Sequence, residues 1–332
     1  MNIGIIGFGY WGQIFYSKIV AIPYFQVLTI CDRNPKNLSI LTKQSITKTT
    51  NPTEVLLDSK VELVLIMTQV ASHFELIKRA LEKGKNVLVT KPFVLRTSEA
   101  TSLIQLANTM GCKLFLDHTY LFSAPWIAIQ KQLRQIEPLL VYDSIRTQFG
   151  KFQMGSNVLW ELLYHDLYII SSIPVGATPI SISALGGAHR SVGTLDVASI
   201  KIKYASGLDA FFHVSMVSAQ KQRKITMTSK SNIIEWDDLK QTQRVLTYRA
   251  TQTKCPESGR SLDKLEEPIE LLLNENDAIQ SELEHCYECL RRSCKPKNNV
   301  LDSLRVTRLL ELVEESIANN GKELYYDEAD LG

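Results

Sequence analysis

NIGIIGFGYWG, residues 2–12, is a short apolar run that breaks into spaced glycines. Gly7, Gly9 and Gly12 match G-x-G-x-x-G, and YWGQIFYSKIVAI beyond them reads as a helix. Glycine turns are common, so the pattern alone is weak; directly after a strand and opening a helix it has the context of a dinucleotide site. Gly7 allows the tight turn. Gly9 lets a pyrophosphate approach the backbone at the helix N-terminus, where N–H groups and the helix dipole favour an anion. Gly12 lets the helix pack on the strand. With Phe8, Tyr10 and Trp11 these residues form the first part of the expected cofactor site. The next apolar run, FQVLTICD, ends at Asp32, whose carboxylate can accept from ribose hydroxyls and so points to NAD. Arg33 follows and would favour NADP if it swung inward to meet a 2′-phosphate.

Working outward, strand and helix signals alternate up to about residue 120. VELVLIMT is a continuous apolar run of the kind that fills a buried parallel strand. ASHFELIKRALEKG has helical spacing through Phe74, Ile77 and Leu81 and stops at Gly84. NVLVT and CKLFLDH read as further strands, with TSEATSLIQLANTMG as the helix between them. The expectation is a doubly wound parallel sheet over residues 1–120. Residues 121–332 read differently, as an α+β domain with one large, mostly antiparallel open sheet. In ASIKIKYASGLDAFFHV, Ile200, Ile202 and Tyr204 alternate with lysines, and Ser206-Gly207 supplies a turn before Ala210, Phe212 and Val214, which is a hairpin with one wet face. The helix NVLWELLYHDLYIISSI interrupts the strands, residues 253–268 look like a linker, and the last helix, DSLRVTRLLELVEESIANNG, could pack on either domain.

The chain has 332 residues, 45% of them hydrophobic, and a formal net charge of +2. With 37 basic and 35 acidic side chains and no long block of one sign, neither nucleic acid nor an anionic membrane is an implied partner. No run approaches the ~18 apolar residues of a spanning helix, and the N-terminus lacks the basic leader of a signal peptide. The six cysteines, Cys31, Cys112, Cys255, Cys286, Cys289 and Cys294, do not make a disulfide framework in a chain this long, so a reducing cytoplasm is expected. His285, Cys286, Cys289 and Cys294 could be read as a zinc cluster, but SELEHCYECLRRS reads as a helix whose cysteines pack as small hydrophobes, and no metal is expected.

GFGYWG, CDRN, SHFELIKRALEKGKNVLVTKPF and LWELLYHDL, in this order, resemble the Gfo/Idh/MocA family of NAD(P)-dependent oxidoreductases. The resemblance covers nearly the whole chain. Through His118-Thr119-Tyr120-Leu121, Leu159-Trp160, His165-Asp166-Leu167, Lys221-Gln222-Arg223 and Asp237-Asp238 it is similar to a branch linked with sugar nucleotides, the UDP-N-acetylglucosaminuronate 3-dehydrogenases. The resemblance implies that Lys91, at the end of NVLVTKPF, hydrogen-bonds the reacting hydroxyl and takes part in proton transfer; neighbouring charge or burial can tune a lysine for such work. It implies that Pro92 fixes the backbone there, with a cis bond expected, and that Thr68, His73, Thr90, Lys91 and Pro92 lie beside the nicotinamide. It implies His165 as general acid/base with Glu161, four residues earlier and on the same helical face, assisting. Tyr120, Arg146 and Trp160 join Lys91, Glu161 and His165 as expected substrate residues, and Lys221 and Arg223 are further anion-binding candidates. Asp166 points elsewhere and serves structure.

Three positions depart from the family pattern. Thr90 replaces a glutamate, Glu161 an aspartate, and Gln69 the proline of a Thr-Pro turn. The expected activity is hydride transfer between NAD, or NADP, and a ring hydroxyl or ketone of a sugar or nucleotide sugar, in a homodimer or homotetramer. An inositol or free-sugar dehydrogenase is the alternative, and the three departures motivate a third: a cofactor-binding protein that has lost turnover.

Overall fold

The computed structural model describes residues 1–150, 157–173, 178–190, 193–254, 261–292 and 294–331. They fall into two compact units, one of Met1–Phe122 with Asn276–Arg308 and one of Ser123–Glu275 with Leu309–Asp330.

In the first unit, β1 (Asn2–Ile6) leads through the glycine turn into α1 (Tyr10–Ile19), and β2 (Gln26–Cys31) follows. Then come α2 (Pro35–Leu38), β3 (Thr47–Thr49), α3 (Pro52–Leu57), β4 (Leu63–Ile66), α4 (His73–Glu82), β5 (Asn86–Val89), α5 (Thr97–Met110) and β6 (Leu114–Leu116). The six strands form one sheet in the order β3-β2-β1-β4-β5-β6, and every pairing is parallel. Chain order reverses between β1 and β4, the switch point at which open α/β sheets leave a crevice at the strand C-termini. The apolar runs earn their burial here: Ile3, Ile5, Leu63, Leu65, Leu88 and Phe115 are fully enclosed under Phe15 and Ile19 of α1. Asn34 and Asn51 cap α2 and α3 by accepting from N–H groups two residues on, and each is followed by the proline that a first turn tolerates.

The second unit contains α6 (Ala124–Leu133), β7 (Val141–Phe149), a π-helical turn at Leu159–Leu163 running into α7 (Tyr164–Ser171), and β8 (Pro179–Gly187). Strands β9 (Val197–Tyr204), β10 (Asp209–Ser215), β11 (Val217–Thr228), β12 (Asn232–Asp237), β13 (Val245–Lys254), β14 (Ser261–Leu265) and β15 (Ile269–Glu270) follow. The expected hairpin is β9–β10: Ile202 faces Ala210, Ile200 faces Phe212, and Gly207 turns the chain at φ +85°. After β15 the chain forms α8 (Ala278–Arg292) and α9 (Val300–Ala318) and ends near β16 (Leu324–Tyr325). The large sheet runs β14-β13-β12-β11-β7-β10-β9-β8-β16, antiparallel except where β7 meets β10.

Two expectations need restating. The linker-like stretch is flanked by a hairpin, because β13 and β14 pair from Ala250–Leu265 to Lys254–Ser261; its middle, residues 255–260 with Cys255, lies outside the described residues. The helix α8 lies in the first unit although the sequence grouped it with the second: Leu283, Cys286 and Cys289 enter the same core as Phe8, Phe15 and Ile19. Among the described residues no helix is long and apolar enough to cross a membrane.

Candidate active site

The glycine turn fits a cofactor. Gly7 holds φ +94°, and a side chain there would strike the Met67 backbone at 2.7 Å. Gly12 packs so closely that a Cβ would run into the Gly7 carbonyl. At Gly9 a Cβ would meet nothing within 4 Å, and no side chain caps α1, which begins there. An open cradle in front of an uncapped helix N-terminus is what a pyrophosphate needs. Asp32 is buried at the end of β2 and accepts from the Phe8 N–H at 2.6 Å and the Asn34 N–H at 2.8 Å, so it locks the glycine turn. Phe8 contributes backbone only: its ring is buried edge-on against Tyr16, whereas Tyr10 and Trp11 are exposed. Arg33 is exposed.

The ends of β4 and β5 are tied to each other through His73, which is fully buried at the start of α4. Its Nδ1 lies 2.9 Å from the Pro92 carbonyl and 3.1 Å from that of Phe93, and its Nε2 lies 3.0 Å from the Thr68 carbonyl. Burial holds the ring below the ordinary histidine range, against the pull of those carbonyls. The Lys91–Pro92 peptide is cis, as expected from the sequence. Gln69, in place of proline, still makes a turn: its carbonyl accepts from the Ser72 N–H at 3.0 Å, and the Ser72 hydroxyl donates to Thr68 Oγ1 at 2.8 Å.

Thr90 continues the ladder by donating its N–H to the Ile66 carbonyl, and its hydroxyl donates to Asp117 Oδ2 at 3.2 Å. Asp117 sits one strand over, just past β6, with its own N–H on the Val89 carbonyl at 2.7 Å. Burial pushes its carboxyl up to about 6, while hydrogen bonds from Glu282 and Thr90 and the charge of Lys91 pull the other way. Glu282 of α8 is fully buried; burial, then the charge of Asp117, raises its carboxyl well above the carboxylate range. Glu282 Oε1 accepts from the His118 N–H at 2.8 Å and from Asn298 at 3.0 Å. Sequence reasoning missed Asp117, Glu282 and Asn298. The only trace was that Glu282, Cys286 and Cys289 recur at i, i+4 and i+7, which puts an acid on a buried helical face.

In the second unit, Glu161 and His165 are half-buried while residues 158–160, 162–164 and 166–170 are buried, so these two share the accessible strip of their helix. The π-helical turn ends at Leu163, between them. Trp160 is buried, with its indole N–H on Glu314 at 2.8 Å. Arg146 is a correction. It lies on the inner face of the central strand β7, and its guanidinium clasps Asp166 through Nε at 3.0 and 3.1 Å and through one terminal nitrogen at 2.6 Å. Both groups are buried, so the fork expected to hold substrate is engaged by α7. Tyr120 is half-buried in a short 3-10 turn, Lys221 is exposed on β11, and Arg223 pairs with Asp238 at 3.7 Å.

The cysteine cluster is only partly helical. Side-chain ligand atoms of His285, Cys289 and Cys294 lie within 4.8 Å of one another, although Cys294 is beyond the end of α8. The two sulfurs are 2.7 Å apart, and burial pushes the Cys289 thiol up to about 12. His285 Nε2 already accepts from the Lys297 N–H at 2.9 Å, which engages the lone pair a metal would need.

Residues 1–118 match the profile of an oxidoreductase family with an NAD-binding Rossmann fold, Gfo/Idh/MocA. These residues belong to that family. Over 245 residues, 74% of this chain and 76% of the relative, the sequence is 25% identical to UDP-N-acetylglucosamine 3-dehydrogenase of Acidithiobacillus ferrooxidans. The uncharacterized oxidoreductase YdgJ of Escherichia coli is 28% identical over 135 residues, 41% of this chain and only 39% of its own length. Among solved structures, the A. ferrooxidans enzyme GnnA superposes with a TM-score of 0.81 at 21% identity, covering 96% of this chain and 98% of its own. GenD2 from gentamicin A biosynthesis, solved with NAD, gives a TM-score of 0.82 at 18% identity, with 98% and 96% covered. At these identities the structures establish the fold alone, over both units.

Proposed function

We propose that this chain is a dehydrogenase that exchanges hydride between NAD and a ring hydroxyl or ketone of a nucleotide sugar. The observation that carries the reading is the set end of β5: Lys91 is followed by a loop pinned through His73, in the unit that also holds the Gly9 cradle and Asp32. The nicotinamide, when bound, supplies the hydride acceptor. Gly7, Gly9 and the N-terminus of α1 bind its pyrophosphate, and Asp32 its ribose; the charge of Asp32 disfavours a 2′-phosphate, which argues for NAD over NADP. Lys91 holds the substrate hydroxyl and takes its proton as the carbon loses hydride. His165, assisted by Glu161, is the second proton-transfer group, in the second unit. The sugar-nucleotide class is supported by the relative from A. ferrooxidans, whose name states that it acts on UDP-N-acetylglucosamine. Residence in the cytoplasm and a homo-oligomeric state belong to the same proposal.

The test is a panel of UDP-sugars, free sugars and inositols with NAD and with NADP, followed by nicotinamide absorbance. Reduction of NAD with a UDP-linked sugar is expected. Turnover of free sugars or inositols alone would move the substrate class. NAD binding without turnover of anything would favour the cofactor-binding reading that Thr90, Glu161 and Gln69 motivate.

A further inference from the structure

Thr90 offers Lys91 a hydroxyl and no charge. A carboxylate nevertheless comes to this place within the same unit, from the neighbouring strand. Asp117 lies just past β6, bound to β5 through its N–H on Val89 and through the hydroxyl of Thr90, and it feels the charge of Lys91. Behind it stands Glu282, brought in by α8 from far along the chain. Glu282 Oε1 is filled by two donors, His118 N–H and Asn298 Nδ2. Its other oxygen, Oε2, is buried and receives no donor. Two carboxyl groups enclosed together cannot both ionise, and an acid O–H at Oε2 directed to Asp117 satisfies the orphan oxygen and leaves Asp117 the anion.

We propose that Asp117, with Glu282 holding the shared proton, is the positioning carboxylate of Lys91, displaced from β5 to the end of β6. The inference rests on the dehydrogenase reading above. The pair does more in this account than fasten α8 to the sheet: it keeps the neutral Lys91 amine directed at the substrate oxygen and supplies the counter-charge for the ammonium that forms as that amine takes the proton. Thr90 is then the short residue that makes room for Asp117 and hydrogen-bonds it. The ionisable groups facing Asp117 are Lys91 from the end of β5 and Glu282 and Cys286 from α8.

The proposal predicts a reversal of sign. Asp117→Asn should lower kcat about tenfold or more, with KM and NAD affinity changed less than about twofold, because what is lost acts in the proton-transfer step. Thr90→Glu should also lower kcat, since it crowds a third carboxylate into the site. Combined, Thr90→Glu with Asp117→Asn should recover most of the loss, the charge having moved back to β5. Glu282→Gln keeps the hydrogen bonds but offers Asp117 an amide N–H, a weaker donor than an acid O–H, so the acid limb of the kcat profile, expected near pH 6, should move higher. If the double variant is no better than Asp117→Asn, with melting temperature and kcat falling together, the pair is a structural tie and the proposal fails. If the wild type turns over no substrate, the dehydrogenase reading fails separately, and Lys91 itself becomes the probe. Its acylation by an amine-reactive ester at pH 7, located by mass spectrometry, should rise severalfold in Asp117→Asn and fall back in the double variant. Unchanged labelling would overturn the proposal.

Discussion

At Gly9 an added side chain meets only open space, so Gly9→Val should fold and melt like the wild type. It would still fill the cradle, and cofactor titration should show NAD affinity reduced about a hundredfold or more, a loss of about 3 kcal/mol. Asp32→Ala should weaken NAD more than NADP in the same titration; equal weakening would remove Asp32 as the ribose ligand. Lys91→Ala should lower turnover about 10²–10⁴-fold, with cofactor affinity nearly intact. Lys91→Arg should not restore it, because a guanidinium does not give up its proton near neutral pH. His73 yields a pH prediction whose sign can be worked out. Its folded-state value is depressed by burial, so its contribution to stability is full above the unfolded histidine value of about 6.5 and is lost as pH falls below it. Asp117, raised to about 6, runs the other way: its contribution is present below about 4 and is lost as pH rises through about 6. The difference between wild-type and His73→Gln unfolding curves isolates the first, and should shrink from pH 7 to pH 5. The glycine turn and the place of Asp32 at the end of β2 were legible because each follows an apolar strand, whereas the role of Lys91 came from the family resemblance and remains part of the proposal. Asp117 and Glu282 were not legible, because their meeting joins residues more than 160 positions apart, and nothing local marks it.

Among the elements, β7 and α7 depend on a buried ion pair. Breaking one side of such a pair leaves an uncompensated charge in the interior, which costs about 3–5 kcal/mol. Asp166→Ala should therefore lower the melting temperature sharply, while replacing Arg146 and Asp166 together with apolar residues should recover much of the loss; calorimetry of the single and double variants is the check. Arg146 was a candidate for a substrate anion because a guanidinium fork suits one, and the sequence does not show that the fork meets Asp166, twenty residues on. The parallel strands were plain from VELVLIMT and NVLVT, whose apolar runs leave no wet face, and the β9–β10 hairpin from its alternation and its Ser-Gly turn. The π-helical turn at Leu159–Leu163 was invisible, since one extra residue in a helical turn leaves no period to detect. The reading of α8 as a helix with packed cysteines was silent on which sheet buries them.

For the whole molecule, the outward face of the large sheet carries Phe149, Leu185 and Phe211, exposed at 59, 63 and 38%, amid ion pairs such as Lys201–Asp209. That mixture suits association of identical copies. Light scattering at micromolar concentration should give the mass of a dimer or tetramer, and a monomer would withdraw the homo-oligomer from the proposal. The first unit is discontinuous, and this has a consequence for how the protein is made. The parallel sheet is complete in sequence by Phe122, yet Leu283, Cys286 and Cys289 of its core, and the acid that satisfies Asp117, arrive only with the segment Asn276–Arg308. At about 5–20 residues per second, a ribosome needs roughly 10–40 s to pass from residue 122 to residue 308. During that interval the nascent sheet waits with its α1 flank bare and Asp117 without Glu282, while the second unit emerges between its halves. Synthesis order and folding order therefore cross, and the helix translated near the end closes the domain that was begun first.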